Sequence, residues 1–372
     1  MRTPDLNWLK DSRIFQVNRL QAYSDHKYTI GKGKKPSSFS LNGTWKFNQS
    51  KNYDTCFKFF YNTEFNDANW NDIQVPGHIQ LQGFDNPHYT DVTYPWDGHD
   101  VVKPGQIDMD KNKVYQYRKT FDCPQDFIGN KLILSFEGVE SNIYVWLNGK
   151  FIGYSEDSFT PSRFDITKYT QEKDNVLCVR IFQKCTGTWL EDQDMWRFSG
   201  IFRDVMIYKQ PSLHIQDLKI DTNIDLDTNK SVLTCTCKMS SNESHILQAK
   251  LYDPQGNIVW NGNMQDTFEI PVENTSLWSS EYPNLYQLEI ILYDANNEII
   301  ETIQEQVGFR KFTLEYGIMK LNGKRIVFHG INRHEWNAKT GRAIAYEQME
   351  EDIHMLKALN INAVRTSHYP NN

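Results

Sequence analysis

The spacing of apolar residues along the sequence changes at residue 310, and this change limits the folds that the chain can adopt. Beyond it, the apolar run RIVFHGI at 325–331 predicts a strand, and apolar residues at helical spacing predict a helix near 346–359. A second strand is predicted at 361–365. A strand–helix–strand unit pairs its strands in parallel, so it belongs to a larger parallel sheet. One unit cannot bury its own faces, and we therefore expect further strands to complete it.

Before that point the pattern predicts strands alone. From 39 to 209, short alternating strands with long aromatic loops favour a β-sandwich, and Asn148-Gly149 suits a two-residue hairpin turn. A second set of alternating strands, between 211 and 309, spans about a hundred residues, as an immunoglobulin-like sandwich does. Residues 1–35 show few periodic signals and predict an irregular arm.

Composition excludes several classes of function. The 372 residues carry a formal net charge of −7, with no basic stripe to neutralise phosphates, so we expect no nucleic-acid partner. No apolar run reaches the ~20 residues of a membrane span, and the start of the chain lacks the apolar core of a signal peptide. The six cysteines have no metal-ligand spacing and read as reduced core thiols. These features predict a cytoplasmic protein.

The run TWLEDQDMWRFSGIFRDV, residues 188–205, combines acids, two arginines and large aromatic residues. Buried carboxylates are costly unless they are paired, so the run is poor core material. Aromatic faces beside carboxylates suit a sugar, whose ring C–H groups and hydroxyls they can contact. A salt-bridged turn, with Arg197 and Arg203 neutralising the acids, is the other interpretation. Asp192 and Asp194 stand two residues apart and could point the same way.

Several motifs, taken together, resemble the β-galactosidases of glycoside hydrolase family 2. They follow the family's order along nearly the whole chain: FQVNRL, SLNGTWKF, VPGHIQLQGFDNPHYTDVTYPW, GYSEDSFTPSRFDIT, the run at 188–205, HGINRHEW and NAVRTSHYPN. The resemblance implies three domains. They are an N-terminal arm plus jelly-roll sugar-binding domain at 1–210, an immunoglobulin-like domain at 211–309, and the truncated start of a (β/α)8 TIM barrel at 310–372.

The resemblance also implies an activity, the retaining hydrolysis of terminal non-reducing β-D-galactose residues from substrates such as lactose. Retention needs two carboxyl groups about 5–5.5 Å apart, and the family carries its two catalytic glutamates on later barrel strands. We therefore interpret the chain as an N-terminal portion that contains no catalytic glutamate and is inactive alone.

The resemblance assigns supporting roles to four residues, and the sequence itself offers Arg365 and Glu335 as possible supporting residues around them. His334 and His368 would stabilise the transition state, although loop histidines bonded to nearby backbone are the plainer interpretation. Asp194 would bind substrate and a sodium ion, or else pair with Arg197. Asp91 would bind substrate where well-known family members have an asparagine, and a carboxylate only accepts hydrogen bonds. Arg365 could orient a catalytic carboxylate or close a barrel salt bridge, and Glu335 has no evident partner in the sequence.

Cofactors and partners follow from the same resemblance. We expect Mg²⁺ and Na⁺ in the full-length enzyme, with most ligands outside this chain. We also expect a homo-oligomer at full length, or a barrel completed by a second chain. Two alternatives stay open. One is another family 2 glycosidase, a β-glucuronidase or β-mannosidase; the other is a non-catalytic carbohydrate-binding module.

Overall fold

The computed structural model describes residues 3–24, 26–97, 102–191 and 194–372, and it is mainly β. Asp192 lies outside the described residues. The first domain is a sandwich of two antiparallel sheets with a buried core between them. Its larger sheet has seven strands, in spatial order Gln16–Val17, Lys150–Glu156, Asn142–Leu147, Asn175–Phe182, Val114–Phe121, Gly43–Ser50 and Asn71–Val75. Its smaller sheet has four, Ser162–Asp165, Lys131–Phe136, Val205–Gln210 and Ser38–Ser40.

Both faces of the seven-stranded sheet are covered. The outer face packs against a second aromatic cluster that includes Trp8, Phe60 and Trp146. Asn175–Phe182 is therefore buried at every position, as its apolar run predicts. The Asn148-Gly149 turn has positive φ at both residues, 49° and 77°, and joins the strands predicted on either side of it. Four short 3-10 turns complete this domain, Leu6–Lys10, Gln80–Gln82, Gln125–Phe127 and Thr186–Trp189.

Two small strand pairs project from one end of this sandwich. One joins Val139–Glu140 to Gly200–Ile201, and the other joins His88–Thr90 to Met195–Arg197. Both pairs are antiparallel, and both involve the run at 188–205.

The second domain is also a two-sheet sandwich. One sheet contains Ile215–Asp225, Lys230–Met239 and Thr267–Val272. The other contains, in order, Ile258–Met264, His245–Tyr252, Tyr286–Asp294, Ile299–Val307, Tyr28–Ile30 and Lys35–Pro36. Cys235 and Cys237 are buried free thiols in its core, so they form no inter-sheet disulfide.

The prediction of an irregular N-terminal arm is wrong. Gln16–Val17 adds an edge strand to the first domain, and Tyr28–Ile30 pairs with Ile299–Val307 of the second. The arm therefore connects both sandwiches. Strands this short bury few side chains of their own, so the arm carries almost no alternation that a sequence pattern could reveal.

The last segment contains the predicted parallel unit. Gly330–Arg333 pairs in parallel with Ala363–Thr366, and the helix Tyr346–Ala358 connects them. The prediction of a single strand at 325–331 is wrong. The Asn322-Gly323 turn folds Lys324–Arg325 back onto Ile318–Leu321, and this strand also pairs with Phe312–Glu315. Val327 and Phe328, which should have lain within that strand, are exposed. No helix among the described residues has the length and apolar character that a membrane crossing needs.

Candidate functional site

The parallel strand pair places two histidines at one edge. Arg333 is opposite Thr366 in the register, and a hydrogen bond from Ser367 N to Arg333 O (3.0 Å) extends the pairing. His334 and His368 follow directly, and their ring centroids lie 5.9 Å apart at an angle of 83°. This is the carboxyl edge of the strands, where barrel enzymes build their active sites.

His334 is held mainly in its neutral form. Partial burial lowers its pKa below the ordinary value, and the charges of His368 and Arg342 act in the same direction, whereas Asp194 opposes them. A neutral imidazole offers one donor and one acceptor, which matches a sugar hydroxyl. The charge of Asp194, from the first domain, therefore acts on His334.

The strand pair His88–Thr90 and Met195–Arg197 carries both candidate aspartates at the same end. Met195 is opposite Thr90, so Asp194 and Asp91 are the next residues outward on the two strands. Both aspartates are exposed. Tyr89 Oη donates to Asp194 Oδ1 at 2.5 Å, and the pKa of Tyr89 is raised by this bond first and also by the charge of Asp91.

Aromatic surface lies beside these carboxylates. Trp196 is opposite Tyr89 in the register, their ring centroids are 5.4 Å apart, and both rings are exposed. Asp194 accepts a hydrogen bond from Tyr89, and Arg197 donates to Thr90 Oγ1 at 3.0 Å and to Glu191 O at 3.2 Å. The arrangement offers ring faces and acceptor oxygens on one wall.

Glu335 and Arg365 do not join this wall. Glu335 is buried against Arg203 of the first domain, with Nη2 and Oε2 3.4 Å apart, and it accepts hydrogen bonds from Asn372 N. Arg365 is exposed, and its Nη1 donates to Asn332 Oδ1 at 3.3 Å.

Sequence reasoning missed the residues that join the two domains around the site. Arg342 is fully buried; its Nη1 donates to Trp196 O at 2.9 Å, and its guanidinium pairs with Glu140. Its backbone N–H donates to Nε2 of His78 at 3.0 Å, and burial keeps the pKa of His78 well below the ordinary value. Glu137 and Glu140 interrupt an otherwise apolar stretch, and this is the signal that could have indicated a buried cationic partner.

Gly341 is required at this junction. Its φ is +64°, and a Cβ there would lie 2.8 Å from His78 Cδ2. The segment that carries Arg342 can approach the first domain this closely because residue 341 has no side chain.

The described residues do not by themselves form a metal site. Among the ranges that the structure describes, no group of three His, Cys, Asp or Glu side chains is placed to hold an ion. Asp194 supplies a hard oxygen ligand of the kind that Na⁺ prefers, but one carboxylate that is also bonded to Tyr89 cannot define a site.

Comparison with known proteins shows that the chain belongs to glycoside hydrolase family 2. Three family models match consecutive segments: the family 2 sugar binding domain at 39–211, the general family 2 domain at 213–310, and the family 2 TIM barrel domain at 312–372. The fold is accordingly a jelly-roll sandwich, an immunoglobulin-like sandwich and the start of a TIM barrel.

Curated relatives are named β-galactosidases. The chain is 49% identical to the enzyme of Halalkalibacterium halodurans over 99% of this chain and 38% of that protein. It is 43% identical to the β-galactosidase large subunit of Leuconostoc lactis over 98% of this chain and 62% of that protein. The chain thus spans less than two thirds of the length of these relatives, 38% of the first and 62% of the second.

Solved structures share the fold at lower identity. A β-glucuronidase from Bacteroides uniformis superposes with a TM-score of 0.72 at 21% identity, over 90% of this chain and 40% of that one. A β-glucuronidase from Ruminococcus gnavus gives 0.74 at 21% identity, over 94% and 57%.

Proposed function

We propose that this chain is the N-terminal part of a retaining β-galactosidase, in which it forms one wall of the sugar site. The proposal is carried by the histidine pair at the barrel edge, with ring centroids 5.9 Å apart, and by the hydrogen bond from Arg342 of the barrel segment to Trp196 O in the strand that follows Asp194. A sugar can contact Asp194, His334 and His368 together only if the two domains keep a fixed relative position. The names of the curated relatives supply the substrate class, terminal β-D-galactosides such as lactose.

Each member of this wall has a role that its chemistry supports. Tyr89 fixes one oxygen of Asp194, which leaves the other oxygen to accept from a sugar hydroxyl. His334 and His368 donate to hydroxyls as oxocarbenium character develops, and such bonds strengthen in the transition state. Asp91 accepts from a further hydroxyl. Trp196 presents its ring face to the C–H groups of the sugar.

The two catalytic carboxyl groups are supplied by the remainder of the barrel in this account. Glu335 is the glutamate next to the histidine pair, and its pairing with Arg203 removes it from contact with a substrate. The remaining barrel belongs either to the same polypeptide or to a second chain. The naming of some relatives as large subunits supports the second arrangement. At full length we also propose a homo-oligomer.

We propose a neutral hexose rather than a uronic acid as the substrate. Two aspartates on the same wall repel a carboxylate at the sugar C6 position. The likeness to β-glucuronidase structures, at 21% identity, concerns the fold alone.

The ions and the location are further parts of the proposal. Asp194 would contribute an oxygen ligand to Na⁺, with the other Na⁺ ligands and those of Mg²⁺ coming from the remaining barrel. The bound ion would screen the carboxylate and orient a hydroxyl. We place the protein in the cytoplasm, which the six free cysteines support.

The test is a comparison of three aryl substrates. The complete enzyme should hydrolyse 2-nitrophenyl β-D-galactoside with a kcat/KM at least about 100-fold above that for the corresponding glucuronide and mannoside, a difference of about 2.7 kcal/mol in transition-state binding. A preference for the glucuronide or the mannoside would replace the proposed substrate. No turnover of any of the three would favour a carbohydrate-binding module.

A further inference from the structure

We propose that Arg342 is a positioning residue that fixes two segments relative to each other. One is the strand Met195–Arg197 of the first domain, called the Asp194 strand because it directly follows Asp194. The other is the barrel segment 367–370, called the His368 loop. This inference deepens the proposed function and rests on it for its catalytic readout. Arg342 lies on the loop between the barrel strand that precedes His334 and the helix Tyr346–Ala358. It bonds to Trp196 at the backbone carbonyl rather than at the ring assigned to the sugar, so any effect on catalysis must act through its neighbours.

One side of Arg342 supports the Asp194 strand. Its Nη1 donates to the carbonyl of Trp196 at 2.9 Å, in the strand Met195–Arg197. Trp196 is paired with Tyr89, the tyrosine that bonds to Asp194. The hydrogen bond from Arg342 therefore reaches the centre of the strand pair that carries both aspartates.

The other side of Arg342 contacts the His368 loop. Its guanidinium lies 5.4 Å from the ring of Tyr369, the residue after His368. Tyr369 Oη donates to Glu335 O at 3.2 Å, and Glu335 directly follows His334. Through this one ring, the loops that carry the two histidines are fixed to each other and to Arg342.

The surroundings give the guanidinium a single orientation. It lies 5.2–5.8 Å from three phenylalanine rings of the first domain, those of Phe159, Phe198 and Phe202. The carboxylate of Glu140, also buried, pairs with it. A planar guanidinium can bond a carboxylate and a carbonyl and stack on aromatic rings at once, whereas an ammonium group cannot. Arg342→Lys should keep the charge and lose the fixed geometry.

Arg118 offers a matched control. It is a buried arginine of the same domain, its Nε is 2.7 Å from Asp67 Oδ2, it donates to backbone carbonyls, and it lies 5.4 Å from the Phe65 ring. Its contacts are all within the first domain. Arg118→Lys therefore removes the same kind of interaction without touching the junction.

The first experiment is hydrogen exchange on the chain 1–372, and it does not depend on activity. Arg342→Lys should raise the exchange rates of peptides covering 194–197 and 367–370 by about tenfold or more, while the buried strand Asn175–Phe182 stays protected. Arg118→Lys should leave both segments within about twofold of wild type. Acceleration of only one segment, or of neither, would overturn the proposal. If Arg342→Lys also exposes Asn175–Phe182, Glu140→Gln replaces it, with a smaller acceleration of both segments expected and the same contradicting outcomes.

The second experiment is kinetic and uses the complete enzyme on 2-nitrophenyl β-D-galactoside. Arg342→Lys should lower kcat/KM by about 10- to 100-fold at unchanged active-site concentration, because reacting groups displaced by about 1 Å lose that much. Combined with Asp194→Asn, it should cost clearly less than the product of the two single losses. Multiplicative losses would contradict action through the Asp194 strand. A wild-type enzyme without galactosidase activity would remove the proposed function and leave the exchange result standing.

Discussion

At the residue scale, Tyr89 determines how Asp194 can act. An exposed aspartate samples several rotamers, and a hydrogen bond of 2.5 Å from Tyr89 Oη selects one of them. The same tyrosine lies within the electrostatic reach of Asp91. One hydroxyl therefore orients Asp194 and also lies in the field of Asp91.

Replacing Tyr89 should weaken substrate binding while the fold persists. In the complete enzyme, Tyr89→Phe should raise KM for 2-nitrophenyl β-D-galactoside about fivefold, because it removes the hydrogen bond that orients Asp194. Tyr282→Phe, at a tyrosine 74% exposed in the second domain, is the control and should leave KM unchanged. An unaltered KM in Tyr89→Phe would show that the orientation of Asp194 does not matter for binding.

The two histidines should affect the rate more than the stability. His334 is exposed and His368 is partly exposed, so phenylalanine at either position removes hydrogen bonds to the sugar without leaving a buried polar group unpaired. We expect kcat/KM to fall by about 100-fold in each variant, in line with the loss of a group that stabilises the transition state. Thermal melting should change little. Wild-type kinetics in both variants would remove the histidines from the site.

The sequence indicated candidate site residues but could not show how they are held. The strands predicted at 325–331 and 361–365 imply that His334 and His368 lie just past strand ends, and the structure places both there. No prediction paired the strands that carry Asp91 and Asp194. Nothing in the local pattern could show that Arg342 reaches Trp196, because the contact depends on how two separately folded domains meet. The partner of Glu335 was invisible for the same reason, since Arg203 is distant in sequence.

At the element scale, the long strands followed their patterns and the short ones did not. Asn175–Phe182 and Lys230–Met239 are long enough for an apolar run or an alternation to be recognised. Tyr28–Ile30 and Lys35–Pro36 owe their conformation to pairing at the edge of a sheet built from residues far along the chain. The strand predicted at 325–331 is interrupted because the Asn322-Gly323 turn pairs Lys324–Arg325 with the preceding strand. The apolar run RIVFHGI gives no sign of this pairing.

A buried glutamate in the second domain should make stability depend on pH. Glu301 is 1% exposed, its Oε1 accepts from Ile215 N at 2.6 Å, and burial raises its pKa to about 7. A raised pKa means that the folded state prefers the protonated form. The stabilisation is present below pH 4.5, the ordinary value, and is lost as the pH rises to about 7.

Glu301→Gln should therefore raise the melting temperature at pH 8 and leave it nearly unchanged at pH 4.5. The expected gain at pH 8 is about 3.5 kcal/mol, because the pKa lies about 2.5 above its ordinary value and each pKa unit represents roughly 1.4 kcal/mol. Thermal unfolding at both values is the measurement, with Glu298→Gln at an exposed position of the same domain as the control. An equal effect at the two pH values would contradict a titrating Glu301.

The barrel helix should be the least protected regular element. Tyr346–Ala358 contains no buried residue, and Ile353 and Met355 are 52% and 61% exposed. A short helix without tertiary packing is marginal in water. In a verified monomer of 1–372, its amides should exchange far faster than those of Asn175–Phe182. Strong protection throughout the helix would show that it folds independently of any partner surface.

At the scale of the whole molecule, the barrel segment is anchored on one side and open on the other. Its anchored side contains the ion pairs Arg342–Glu140 and Arg203–Glu335 and the stacked rings of Tyr369 and Phe159, whose centroids are 5.0 Å apart. Its open side presents the helix and exposed apolar residues such as Val327 and Phe328. This difference between the two sides fits a segment that packs on the jelly roll with one side and packs against further barrel strands with the other.

The central claim is that this chain forms one wall of a galactoside site whose catalytic carboxyl groups come from outside residues 1–372. The most direct measurement is the hydrolysis of 2-nitrophenyl β-D-galactoside by purified 1–372, before and after addition of the polypeptide that carries the remaining barrel. We predict no turnover by the chain alone, and turnover on addition that is lost with His334→Phe and His368→Phe together. Turnover by purified 1–372 without any companion polypeptide would contradict the claim.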